Sequence, residues 1–183
     1  MRACMANPAL VWRRGKGHKM EDGEKISEIV GRIAKGLLSR SWFLGTAESC
    51  TGGLVAHSLT DVPGSSQWFQ GGVVAYANSV KESLLEVPGS VLAEHGAVSE
   101  KTVLAMAQGV CKTLGTEAGL AVSGIAGPSG GSVDKPVGLV WMAWAVSGQV
   151  EAKRFHFSGT REEIKAKAAF AALQGLAERL ESM

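Results

Sequence analysis

At 183 residues, 45% of them apolar and 20% charged, the chain has the size and composition of one globular domain with a sizeable core. A net charge of +2 sets up no broad field to gather nucleic acid, and no apolar run approaches the roughly 20 residues that span a bilayer. Three cysteines without close pairing (Cys4, Cys50, Cys111) and no apolar signal core at the start argue against a disulfide framework or zinc cluster and point to the cytoplasm.

Residues 1–22 carry Arg13, Arg14, Lys16, His18 and Lys19 without apolar periodicity, which predicts a basic, flexible extension ahead of a domain over 23–183. From Glu24, the spacing of Ile26, Ile29, Val30, Ile33, Leu37 and Leu38 predicts an amphipathic helix. Trp42, Phe43 and Leu44 read as a short strand leading into Thr46-Ala47-Glu48-Ser49-Cys50-Thr51-Gly52-Gly53. That stretch joins a strand to an apolar-periodic helix marked by Leu54, Val55 and Leu59. Thr51 suits the helix cap, and two glycines let a ligand approach the backbone. Amides at a helix start favour an anion or a developing oxyanion, so one turn could offer a nucleophile beside stabilising donors. An ordinary capped turn has the same pattern.

Residues 61–66 are a turn cluster, and 68–77 read as a buried strand ending near Tyr76. Asn78 can cap a short helix holding Lys81, Leu84 and Leu85, and Pro88 suits the first turn of another that reaches His95-Gly96. Ser99 caps a longer helix with Glu100 in its first turn. A strand over 120–123 opens into the glycine-rich segment 124–132. A buried strand over 137–146, a Ser147-Gly148 turn and an alternating strand over 149–157 follow. Thr160 and Glu163 form a capping box for a final helix. The order of elements predicts an α/β fold.

Three of these segments follow predicted strands: the Ser49 turn, 76–81 and 124–136. Ligand sites in open α/β sheets collect at the carboxyl ends of parallel strands, so one pocket could use all three. The glycine loop is neither G-x-G-x-x-G nor G-x-x-x-x-G-K-[ST]. A serine nucleophile needs a base. His18, His57, His95 and His156 each fit a tail, helix or strand position without pointing to Ser49. Lys81 is the other option, provided that burial makes its neutral form accessible, and the Tyr76 phenol could orient its amine. A solvated Lys81 fits the sequence equally. Ser132-Val133-Asp134-Lys135 matches Ser-x-x-Lys, but Pro136 biases Lys135 away from helical geometry. Cys50 is a rival nucleophile if its thiol is activated at the helix start. The motifs contain no cluster of metal ligands, so no metal or other cofactor is expected.

In combination the motifs are more specific. T-A-E-S-C-T-G-G at 46–53, P-G-S-S at 63–66, Y-x-N-x-x-K at 76–81, H-G-A-V-S at 95–99, S-G-I-A-G-P-x-G-G at 123–131 and K-P-V-G at 135–138 resemble the CinA C-terminal-domain family over residues 24–181. Members characterised as enzymes are nicotinamide mononucleotide amidohydrolases, which release ammonia to give nicotinic acid mononucleotide. The resemblance implies a three-layer α/β/α domain with a mixed sheet and a homo-oligomer. It places the nucleophile at Ser49, with Lys81 and Tyr76 as its catalytic partners. It also implies substrate contacts from Thr46, Glu48, Thr51, Gly52, Gly53, Asn78, Ser123, Gly124, Gly127, Gly130, Gly131 and Arg161. Where the family carries a second arginine four residues after Arg161, this chain has Lys165, which keeps the charge and loses the bidentate fork. A catalytically silent nucleotide-binding module and a competence-related accessory protein are the alternatives, and the near-neutral charge argues against a nucleic-acid partner.

Overall fold

The computed structural model describes residues 26–183. The basic extension assigned to 1–22 lies outside the described residues. Strands β1 (Leu44–Glu48), β2 (Phe69–Val74), β3 (Ala118–Gly124), β4 (Leu139–Val146) and β5 (Gln149–His156) form one sheet in the order β2-β1-β3-β4-β5. The first three run parallel, and β4 and β5 are antiparallel to their neighbours. The sheet is therefore mixed, as expected. The parallel strands end together, at Glu48, Val74 and Gly124, and the three segments singled out in the sequence leave from those ends.

Alternation along the strands divides the core. Leu120, Val122, Val140, Met142 and Trp144 face α1 (Ile26–Leu38), α2 (Leu54–Thr60) and α6 (Arg161–Glu181). Ala47, Ala121, Ala143 and Ala145 face α3 (Asn78–Leu85), α4 (Gly89–His95) and α5 (Glu100–Leu114). Bulky residues thus fill one interface and small ones let α5 lie close on the other. Full burial of each large side chain contributes roughly 1.5–3 kcal/mol relative to exposure. At Gly109 of α5, a β-carbon would collide with the Leu85 backbone, so α3 and α5 approach closely. That contact fixes the height of α3, which carries Lys81.

Local signals hold where they are local. Ser99 accepts the Thr102 amide at 3.2 Å, and Thr160 and Glu163 close a reciprocal capping box. Ser147 and Gly148 take φ of 51° and 80°, the left-handed pair that a two-residue hairpin needs.

Four expectations need correction. β1 lies further along than 42–44, so Thr46 and Glu48 are strand residues and Ser49 follows the strand directly. β2 is a half-exposed edge strand, because among the described residues no further strand pairs with it. Thr51 does not cap α2: its cap position is Gly53, at φ 95°, and the buried Thr51 hydroxyl makes no hydrogen bond. Asn78 is the first helical residue of α3 after an Ala77 cap without a side-chain bond.

Candidate active site

Glu48 ends β1, and the chain turns sharply through Ser49 to Gly53 before α2 begins. Ser49 is tied to the sheet by its amide, which donates to Val122 O at 2.9 Å. Its carbonyl accepts the Gly52 amide at 3.2 Å, closing the turn. Glu48 is 1% exposed, and its carboxylate accepts the amides of Gly53, Val55 and Ala56 at 2.9, 3.1 and 2.8 Å. The cap that the sequence suggested for Thr51 is thus supplied by an acid five residues before Gly53. Three amides at the positive end of a helix hold the carboxylate.

Lys81 approaches from the other side. It sits one turn into α3, is wholly buried, and points back at the strand ends. Its Nζ lies 3.3 Å from Ser49 Oγ, 2.7 Å from Ala75 O and 3.1 Å from Tyr76 O. Burial pushes its pKa below the ordinary lysine range. The orienting groups are therefore the Ala75 and Tyr76 carbonyls. The phenol faces outward and accepts from Arg161 Nη2 at 3.3 Å.

The nearby thiol behaves oppositely. Burial, with the Glu48 charge adding to it, pushes Cys50 up to about 12, so it stays protonated and a poor nucleophile. The histidines are engaged elsewhere: His57 with Asp61 at 3.5 Å, His95 with Glu94 at 3.6 Å, and His156 with Val137 O at 3.1 Å. His18 lies outside the described residues. The Ser132-x-x-Lys135 pair forms a turn, with Lys135 Nζ donating to His95 O at 2.6 Å. It has no part in this site.

A cavity of about 200 Å³ opens in front of Ser49. Ser49 and Cys50 form one wall, Tyr76 a second and residues 124–130 a third, with Arg161 at the mouth. Arg161 Nη1 donates to Gly127 O at 2.8 Å, so one guanidinium joins the glycine loop to Tyr76. A neighbouring hollow of about 490 Å³ is lined by Leu54, Arg161, Glu162, Lys165 and Ala166. Lys165 Nζ stands 3.5 Å from where a β-carbon on Gly52 would be.

Ser49, Tyr76, Gly124, Gly127, Gly130 and Arg161 therefore meet at one cavity, with Lys81 immediately behind Ser49. Other expected contacts stand off its walls. Thr46, Glu48 and Thr51 are buried behind it, and Ser123 donates to Ala97 O at 2.7 Å. Gly53 donates to Glu48, Gly52 faces Lys165, Gly131 packs on Val137, and Asn78 is exposed on α3. Ala75, whose carbonyl holds Lys81, was not foreseen, since a backbone acceptor leaves no side-chain signature. Among the described residues no three His, Cys, Asp or Glu side chains gather as metal ligands.

The family model described as the CinA C-terminal domain matches residues 26–180. A CinA-like protein of Geotalea uraniireducens is 48% identical over 89% of this chain, which spans only 38% of that relative's length. A nicotinamide-nucleotide amidohydrolase, PncC, of Enterobacter agglomerans is 45% identical, over 82% of this chain and 93% of its own. The crystal structure of a CinA superfamily protein from Klebsiella pneumoniae superposes with a TM-score of 0.83 at 38% identity, covering 87% of this chain and all of that one. With a family match across nearly all described residues and the same fold as a relative of known structure, the chain belongs to the CinA C-terminal domain family.

Proposed function

We propose that this protein hydrolyses the carboxamide of nicotinamide mononucleotide to nicotinic acid mononucleotide and ammonia, with Ser49 as nucleophile and Lys81 as its base. The observation that carries this reading is the set of acceptors around Lys81. An ammonium has three N–H donors and no acceptor. Lys81 Nζ donates to Ala75 O, Tyr76 O and Ser49 Oγ, and on losing one proton it keeps two N–H groups for the carbonyls and frees a lone pair toward Ser49 Oγ. Burial favours that neutral form.

Lys81 takes the Ser49 proton as Oγ bonds to the carboxamide carbon. It then returns the proton to the departing nitrogen as the C–N bond breaks, and ammonia leaves an ester on Ser49. Water, deprotonated by Lys81, attacks that ester, Lys81 returns the proton to Ser49 Oγ as the ester bond breaks, and the released carboxylic acid gives its own proton to solvent. The Gly52 and Gly53 amides are engaged by Ser49 and Glu48. Oxyanion donors are therefore assigned to the 124–130 loop facing Ser49, where losing one would cost on the order of 10²–10³ in rate. Arg161 at the mouth and Lys165 in the neighbouring hollow supply positive charge for the substrate phosphate.

Assay of ammonia release from nicotinamide mononucleotide by the wild type beside Ser49→Ala tests the assignment. Full activity in Ser49→Ala would overturn it. Nucleotide binding without ammonia release in the wild type would make the protein a binding module.

The same reading includes a homo-oligomer in the cytoplasm. No helix among the described residues is long and apolar enough to cross a membrane. Edge strand β2 carries no charged side chain and leaves Val74 51% exposed, whereas the opposite edge β5 carries Glu151, Lys153 and Arg154. Charges guard an edge that stays free. A monomer in light scattering of the wild type, or an oligomer unchanged by Val74→Lys, would remove β2 as the interface.

A further inference from the structure

We infer that Glu48 is a positioning residue for the nucleophile: its carboxylate replaces an external anion at the start of α2 and locks the Ser49–Gly53 turn. The resemblance placed Glu48 among the substrate contacts, and this inference rests on Ser49 being the nucleophile. The carboxylate is 1% exposed and does not line the cavity. Both oxygens are used, Oε2 by Gly53 and Val55 and Oε1 by Ala56. Those amides are the free donors that a helix start ordinarily offers to a bound anion. With Glu48 in place, the α2 start holds no phosphate, and an anionic substrate group is left to Arg161 and Lys165.

The geometric consequence concerns Ser49. It stands between two anchored points, since Glu48 grips the helix at Gly53 and the Ser49 amide holds β3 through Val122 O. Gly52 and Gly53, at φ 64° and 95°, are free to relax if that grip is lost. Relaxation would move Oγ away from Lys81 Nζ, and a displacement of about 1 Å at a reacting atom can cost about 10²-fold in rate. Glutamine keeps only one oxygen acceptor and turns an NH2 toward a backbone N–H, so it cannot restore the grip.

The experiment compares Glu48→Gln and Glu48→Ala in the full chain. It reads kcat and KM for ammonia release, the rate of Ser49 labelling by a fluorophosphonate, and Tm. Expected are a fall of about 10- to 100-fold in both kcat and labelling rate, with KM within about threefold. Labelling reports on Ser49 whatever the substrate, so a wrong substrate assignment stops ammonia release in the wild type without touching this readout. A lowered Tm with unchanged labelling and kcat would make Glu48 structural only. A raised KM with kcat kept would make it a substrate contact. Either result overturns the inference. Should Glu48→Ala fail to fold, Glu48→Gln, with nearly the same volume, still decides.

Discussion

Lys81 Nζ and Ser49 Oγ lie 3.3 Å apart, although 32 residues separate them and they arise from different strand ends. The pair exists because β1 and β2 are parallel neighbours. Their carboxyl ends therefore release the serine turn and the lysine helix side by side. The amine is enclosed by two carbonyls and a hydroxyl, with no carboxylate among its hydrogen-bond partners.

The nucleophile is the first matter to test. Ser49→Ala should lose at least about 10³-fold in kcat, in line with removing a covalent nucleophile. Cys50→Ala should keep most activity, because burial holds that thiol protonated. It should cost only about 1 kcal/mol of stability, the centre of the range for point variants. Steady-state ammonia release and thermal melts decide; an active serine variant beside a dead cysteine variant would reverse the assignment.

Lys81 has two pH signatures. As a base it works unprotonated, so kcat should rise with pH and level off below the ordinary lysine range of about 10.4. Lys81→Arg and Lys81→Met should both lose that limb together with the activity, since guanidinium does not deprotonate.

Its effect on stability has a definite sign. The folded pKa is depressed by burial, so between that value and the ordinary lysine range the unfolded chain binds a proton here that the folded protein does not. Stability should rise with pH across this window and fall as pH drops through it. Lys81→Met should flatten the slope, and denaturant titrations at several pH values measure it. An unchanged slope would mean that Lys81 is not the titrating group.

Gly109 links packing to catalysis. A β-carbon there meets the Leu85 backbone at the end of α3, with no flexible side chain to give way. Gly109→Ala should destabilise by about 1–3 kcal/mol, as overpacking does, and lower kcat by shifting Lys81. Unaltered Tm and kcat would show that α3 adjusts freely.

Charge at the mouth should act mainly through binding. Arg161→Gln removes a cation and loosens the tie from Gly127 to Tyr76, so KM for the nucleotide should rise about tenfold or more, the range lost with a charged hydrogen bond. Lys165→Arg should lower KM, because a guanidinium binds phosphate bidentately where an ammonium offers a point charge. If Arg161→Gln changes kcat alone, its role is in the chemical step.

What the sequence determined by itself was whatever needs only near neighbours along the chain. Ser99, the Thr160–Glu163 box and the Ser147-Gly148 turn satisfy backbone groups within a few residues, so their residue types suffice to place helix starts and a hairpin. Helical spacing in α1 likewise marked its buried face at Ile29, Val30, Ile33 and Leu37, while Leu38, at the helix end, is exposed. The motifs around Ser49, Lys81 and 124–131 were also legible, though only as separate segments. Strand order and burial decided the rest. The apolar content of β2 suggested a buried strand, and its exposure follows only from its place at the sheet edge. Thr51 looked like a cap until Glu48, from the adjoining strand, proved to hold the same amides. The Tyr76 phenol looked like the group that orients the Lys81 amine, yet Tyr76 holds Lys81 through its backbone carbonyl while the phenol meets Arg161. Each of these turns on which group faces which across the end of a sheet, and that orientation is set by tertiary packing rather than by local residue preference.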